Sequence, residues 1–312
     1  MKYNYILGIS PGLLMERSLA DHNLLPKVLR TCCELDGYQA VDIFFAEEPE
    51  IRREQLRILG GSGKRVNYIS PPSHQDPIND PGALDDGRWN ASIELTRRHM
   101  DFAAESGSEI YVVTAGHDDG ADLRAAKQER FAAYLHRVCE YAATLGLEVV
   151  MEPIERRRFK RMLYGPTCEC AKLVADLRQE GCSNLSLMMD TAHLPLMEER
   201  FADALQESEA VGLRHVHLGN AVLREGMPLY GHAHAPYGIA GGEFGPEQLS
   251  EQMEGFFRMG YLSTDAHRAP ASLTFEVQPY PGFSGQTSAQ LLRCMLEYAL
   301  DAGYERYALK DR

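Results

Sequence analysis

The sequence predicts a single (β/α)8 barrel, and three observations lead to it. Eight short apolar runs bounded by turn residues recur along the 312 residues. Stretches with helical periodicity alternate with them, and no composition shift or flexible linker divides the chain. Barrels of this kind run from about 200 to more than 400 residues as one domain. Two doubly wound halves would fit the same length, but an unbroken βα alternation favours one closed barrel over residues 1–312.

In chain order the apolar runs are YILGIS (5–10), AVDIFF (40–45), RVNYIS (65–70), EIYVVT (109–114), LEVVME (147–152), LSLMMD (185–190), LRHVHL (213–218) and SLTFEV (272–277). Their apolar residues are mostly continuous, as in parallel strands covered on both faces. Helical periodicity marks ASIELTRRHMDFAAESG, DLRAAKQERFAAYLHRVCEYAATLG, CECAKLVADLRQEG and SAQLLRCMLEYALDAG, several ending at a Gly where a C-cap belongs. GGSGK (60–64) lacks the Gly a phosphate loop needs six residues before Lys64. Arg65 also stands where Ser or Thr is required, so the segment reads as a helix end and turn. Cys168 and Cys170 read as packing residues at a helix start. The two longest irregular connections are 70–89 and 219–245, and loops this long inside a compact domain are usually functional.

Charge and cysteine content exclude several function classes. With 32 Lys+Arg against 45 Asp+Glu the net charge is -13, and the one basic run is 156–161. Such a surface repels polyphosphate, so no nucleic-acid partner is expected. No stretch approaches 18 apolar residues, and the N-terminal apolar run is too short for a signal peptide, which predicts a cytoplasmic chain without a membrane partner. Seven cysteines, at 32, 33, 139, 168, 170, 182 and 294, show neither paired zinc spacing nor a disulfide framework and read as reduced thiols. There is no GxSxG elbow and no CxxC, and Asn90-Ala91-Ser92 matches a glycosylation acceptor by chance.

Barrel active sites lie at the C-terminal ends of the strands. The last four runs end in Glu152, Asp190, His217 and Glu276. Three carboxylates converging there would repel one another unless a cation lay between them. An oxygen-rich set with one imidazole suits Mn2+, Mg2+ or Co2+ better than a structural zinc, with Mn2+ placed first and Zn2+ also admissible. Any one of these residues alone is more often a cap partner or a loop ion pair than a ligand; four at equivalent positions read as a ligand set. Held with open positions, one divalent ion would polarise a ketone oxygen and the adjacent hydroxyl. Glu152 and Glu276 would then serve as base and acid for the neighbouring proton. His193, three residues after Asp190, is expected to contact substrate. His215 shares a strand face with His217 and is either an orienting group or an ordinary core histidine. In the long second loop, His232, His234 and Tyr237 are expected substrate contacts that exclude water.

MEPIER, the DTAH block, HVHLG and the closing FE resemble the xylose isomerase-like superfamily, with the ketose 3-epimerases of D-tagatose and D-psicose the nearest pattern. The resemblance covers the C-terminal two thirds. It implies that Glu152, Asp190, His217 and Glu276 hold one divalent metal, that His193 meets a substrate oxygen, and that Arg224 falls one residue beyond the family's substrate-binding Arg. The activity implied is metal-dependent epimerisation or isomerisation of a small-molecule carbohydrate. The family's E-P-L-N-R-F-E reads here Glu152-Pro153-Ile154-Glu155-Arg156-Arg157-Arg158, so an acidic contact becomes Arg, which favours an anionic or modified sugar. Metal-dependent lyases on oxidised sugars, the C-glycoside deglycosidases, are the main alternative. Nucleases of the endonuclease IV type would use His232 and His234, but His74 and His117 come late for their ligand spacing. A sugar-binding barrel without catalysis would lack the two glutamates. A homo-oligomer fits soluble enzymes in general.

Overall fold

The computed structural model describes residues 2–14, 21–71 and 79–310. Eight parallel strands close into a barrel: β1 (Tyr5–Ile9), β2 (Ala40–Ile43), β3 (Arg65–Ile69), β4 (Ile110–Val113), β5 (Glu148–Met151), β6 (Leu185–Asp190), β7 (Leu213–Leu218) and β10 (Ala271–Phe275). Each apolar run seen in the sequence is one of these strands, to within two residues at either end. Between β7 and β10 the chain inserts an antiparallel pair, β8 (Asn220–Val222) and β9 (Gly231–Ala235). The connection 219–245 is therefore not irregular throughout. Spatially the barrel runs β1-β10-β7-β6-β5-β4-β3-β2, so β5, β6, β7 and β10 are consecutive neighbours, and β1 pairs with both β10 and β2, a closure that a doubly wound sheet lacks.

The helices are α1 (Pro11–Leu14), α2 (Leu25–Cys33), α3 (Pro49–Ser62), α4 (Asp86–Glu105), α5 (Ala121–Thr144), α6 (Thr167–Gln179), α7 (His193–Met197), α8 (Phe201–Glu209), α9 (Pro246–Arg258) and α10 (Gly285–Lys310). Their apolar faces pack on the outer barrel surface in one continuous core that includes Tyr68, Phe131, Val149, Leu187, Val216 and Phe275. α4 begins earlier than its apolar period suggests, because the Asp85 carboxylate accepts the backbone N–H of Arg88 at 2.9 Å and caps the first turn. GGSGK is a helix end as expected, with Gly63 left-handed at φ 67°.

Two sequence readings need correction here. Gly107, Gly146 and Gly181 follow their helices at positive φ, but Gly303, expected to end the last one, lies inside α10. A Cβ at Gly303 would stand 2.7 Å from the Glu254 backbone nitrogen and 2.8 Å from Ser250 O, so this glycine permits backbone-to-backbone approach of α9 and α10. Cys170 is buried on α6 as expected, whereas Cys168 is exposed and not the core packing residue expected. His74 falls outside the described residues. Among the described residues no helix is long and apolar enough to cross a membrane.

Candidate active site

The barrel interior is polar along one side, and the polarity begins with an aspartate that sequence reasoning passed over. Asp42, inside the AVDI strand β2, is fully buried. Its Oδ1 accepts from Asn67 Nδ2 (2.7 Å) and Thr274 Oγ1 (2.9 Å). Its Oδ2 accepts from His215 Nε2 (2.6 Å) and His217 Nε2 (3.0 Å). Gly8 makes room for this arrangement, since a Cβ there would stand 2.2 Å from Thr274 Oγ1. Burial alone would raise the Asp42 pKa, but the two imidazoles outweigh it and hold the carboxyl well below its usual range. The available signal was a lone Asp inside an otherwise apolar buried run, a placement that requires partners.

A carboxylate can only accept, so both histidines present an N–H to Asp42. In neutral His217 the lone pair is then on Nδ1 and faces the strand ends. There Nδ1 stands 2.6 Å from Glu276 Oε2 and 4.0 Å from both Glu152 Oε1 and Asp190 Oδ2. Glu152 follows β5, Asp190 ends β6 and Glu276 follows β10, so adjacent strands deliver the group. One ligand atom from each of Glu152, Asp190, His217 and Glu276 falls within 4.8 Å of all the others. Asp190 Oδ2 and His217 Nδ1 are buried without a hydrogen-bond partner. Acceptor atoms of three carboxylates and one imidazole converging on one small space are the donor arrangement of a divalent-ion site, and the four residues fit one.

Crowding moves the proton affinities of the four residues apart. Burial and the charge of Glu276 push Glu152 up to about 8 and Asp190 upward as well. Glu276 is held below its usual range despite burial, by His217 and His234. Burial opposes a proton on His217, but Glu276 and Asp42 outweigh it and raise its pKa. Without a metal the cluster is thus driven to take up protons, as crowded carboxylates must.

The motif residues between the ligands fix their aim. In Asp190-Thr191-Ala192-His193, Asp190 Oδ1 accepts from the Ala192 N–H (2.7 Å), which leaves Oδ2 for the cluster. Thr191 Oγ1 bridges Gly219 O (2.8 Å) and Tyr237 Oη (2.8 Å). Gly219 has to be small, since a Cβ would lie 3.0 Å from Ala192 Cβ and 3.2 Å from Glu276 O. Tyr237 is completely buried and its hydroxyl also donates to Gln252 Oε1 (2.7 Å), so it braces β9 and is not the substrate contact expected of it.

Three further histidines flank the cluster. His193 Nδ1–H donates to the Pro153 carbonyl (2.9 Å), which leaves its buried Nε2 without a partner, 3.3 Å from Asp190 Oδ2. Burial, followed by the charge of His234, pushes its pKa down to about 3, so it is neutral. His234 Nδ1–H donates to Glu276 O (3.2 Å), and its Nε2 meets His232 Nε2 at 3.1 Å. His234 sits at φ 48°, a left-handed conformation uncommon for a non-glycine residue, and its ring centroid is 5.3 Å from that of His193. His193, His232 and His234 thus form one group beside the four carboxylate-and-imidazole residues, with ligand atoms also within 4.8 Å of one another. Arg224 is exposed in the turn joining β8 and β9, outside this group, and His117 is exposed as well.

The basic run does not place its arginines in the site. Arg156 pairs with Glu169 (2.9 Å from its Nη1), Arg157 lies 3.9 Å from Glu198 and is 85% exposed, and Arg158 pairs with Glu198 (2.6 Å). The buried Glu155 carboxylate gathers the backbone N–H groups of Arg158, Phe159 and Lys160, which folds the loop back over the barrel mouth. Phe159 then packs edge-on against Tyr230, and Lys160 is the cation electrostatically coupled to Glu152 and Glu276.

The family model described as xylose isomerase-like TIM barrel matches residues 31–261. The chain belongs to the xylose isomerase-like TIM-barrel family. Similar solved structures include a D-tagatose 3-epimerase-like protein, 17% identical with a TM-score of 0.72 over 95% of this chain and 98% of that one. L-ribulose 3-epimerase is 15% identical, with a TM-score of 0.70 over 100% of this chain and 99% of that one. The apo form of 3-keto-D-glucoside 4-epimerase from E. coli is 14% identical, with a TM-score of 0.67 over 93% of this chain and 99% of that one. At these identities the likeness establishes the fold. No curated protein matches the chain in sequence.

Proposed function

We propose that this xylose isomerase-like barrel is a divalent-metal-dependent sugar epimerase or isomerase that moves a proton next to a carbonyl. The observation that carries the reading is the convergence of Glu152, Asp190, His217 and Glu276, with unpartnered buried acceptors facing one space. A divalent ion held by these four residues would act as a Lewis acid toward a sugar carbonyl, Mn2+ being placed first among Mn2+, Mg2+, Co2+ and Zn2+.

The remaining chemistry belongs to the chain. Glu152 and Glu276 stand on opposite sides of His217 in the strand order, so they can reach a bound sugar from two directions. One removes the proton beside the carbonyl and the other returns a proton to the opposite face, which is epimerisation; return at the neighbouring carbon is isomerisation. The bare Nε2 of neutral His193 accepts a hydrogen bond from a substrate hydroxyl, and His232 and His234 close the same side. The β8–β9 pair and the Glu155-organised loop, joined through Phe159 and Tyr230, exclude water from the reactive intermediate. Lys160 adds a cation at the mouth and favours a sugar bearing an oxidised or anionic group, a preference assigned from sequence to Arg158.

The test uses protein stripped with a chelator and reloaded with Mn2+, incubated with a panel of ketoses and 3-oxo-glycosides while epimeric products are resolved by chromatography. The reading expects conversion of at least one class only after reloading. Conversion by stripped protein at the reloaded rate, or none by either form, would overturn it.

A further inference from the structure

A second reactive cluster lies at the other end of the barrel, where the turn between α6 and β6 meets α5. Cys139 and Cys182 are both free and both buried, at 2% and 5% exposure. The two thiols are close enough that each is the largest influence on the other's proton affinity. Cys182 Sγ also stands 3.2 Å from His136 Nδ1, one helical turn before Cys139 on α5. The other nitrogen of the ring, His136 Nε2, is 2.8 Å from Glu180 Oε2. Since a carboxylate can only accept, Glu180 fixes the N–H on Nε2, and the Nδ1 lone pair faces the thiol. Asn184 Nδ2 donates to both Cys139 O (3.0 Å) and Leu147 O (3.1 Å), which ties the turn that carries Cys182 to the α5 backbone at Cys139.

We propose that Cys182 is a site of oxidation by hydroperoxides, with His136 as its base and Cys139 as the resolving thiol. A nucleophile, a base and a group orienting that base lie in hydrogen-bonding sequence, which is the arrangement that activates a thiol. The neighbouring Cys139 thiol lowers the Cys182 pKa, burial raises it and the charge of His136 lowers it, with the result near 7. Cys139 is shifted the opposite way, by the Cys182 thiol and by burial, so it stays protonated until its turn comes.

The balance is complete with a hydroperoxide as oxidant. The Cys182 thiolate attacks the outer peroxide oxygen, the O–O bond breaks, and the departing alkoxide or hydroxide takes the proton held by His136. This leaves Cys182 as a sulfenic acid. The Cys139 sulfur then attacks the Cys182 sulfur, the S–O bond breaks, water leaves and a disulfide forms; the two electrons that reduced the peroxide come from the two thiols. The bridge would tie α5 to the turn before β6, enclosing β5 and Glu152 in a covalent loop.

The experiment is a limited treatment of the reduced full chain with hydrogen peroxide near pH 7, followed by peptide mass mapping of every cysteine. The proposal expects Cys182 to be consumed at least about tenfold faster than the exposed Cys168 and Cys294, in a Cys139–Cys182 cross-linked peptide 2 Da lighter than the reduced pair. Cys139→Ser should leave a sulfenic acid on Cys182 that dimedone traps, and His136→Asn should slow the reaction. Oxidation of Cys168 and Cys294 ahead of Cys182 in the unmodified chain would overturn the proposal without reliance on any variant.

Discussion

Asp42 touches no proposed substrate atom, yet it determines which nitrogen His217 turns toward the cluster. Loss of such an outer partner typically weakens metal affinity about 10–100-fold. Asp42→Asn should therefore lower metal affinity within that range while metal titration still reaches one ion per chain. Glu152 carries a second prediction at this scale. Its folded pKa is raised from 4.5 to about 8, so its contribution to the stability of metal-free protein is present below 4.5 and is lost as pH rises through about 8. Asp42 runs oppositely: its depressed pKa contributes stability above 3.8 that is lost only as pH falls through its folded value. Metal-stripped protein should melt at a lower temperature at pH 8 than at pH 5, and a divalent ion should raise Tm more at pH 8. A flat profile, or a larger rise at pH 5, would contradict this account of the charges. The four strand-end residues were legible in the sequence because each lies at, or one residue before, the end of an apolar run. Asp42 was not singled out, and neither was Lys160: the first sits in mid-strand, and the second acts through a loop fold set by Glu155 that spacing does not reveal.

At the scale of elements, the strands were legible because burial on both faces makes their apolar residues continuous. The β8–β9 pair was not, because its strands HAHA and NAV lack such a run and are held by the barrel rim. Gly231 in β9 has φ 87°, and a Cβ there would meet Phe159 at 2.7 Å. Gly231→Ala should displace Phe159 from Tyr230, raise KM with a smaller effect on kcat, and destabilise the fold by about 1–3 kcal/mol as overpacking does. Gly303→Val should cost a similar amount, about 1–3 kcal/mol, because its neighbours are the backbone of α9, which cannot rotate aside. That variant should lower the urea midpoint in proportion to this loss. The C-cap expectation failed at Gly303 for the same reason: local sequence shows a glycine, but only packing shows whether it ends a helix or admits a neighbour.

For the whole molecule, closure of the barrel is what turns four separated sequence positions into one site. Glu152, Asp190, His217 and Glu276 lie on or directly after the consecutive strands β5, β6, β7 and β10, so strand order brings them together and the residues just beyond the strand ends, such as Ala192, fix their aim. The rim adds His232 and His234, which the sequence singled out, and Phe159 and Lys160, which it did not; in the proposed reading these residues carry specificity. Enolisation of a sugar at this centre is read most directly by solvent exchange, even when the product resembles the substrate. Metal-loaded protein in deuterium oxide should incorporate deuterium beside the carbonyl of a turned-over ketose or 3-oxo-glycoside, and Glu276→Gln, with metal still bound, should reduce incorporation by at least about 100-fold, as loss of a general acid–base group does. Epimerisation without incorporation, or equal incorporation by Glu276→Gln, would contradict the account.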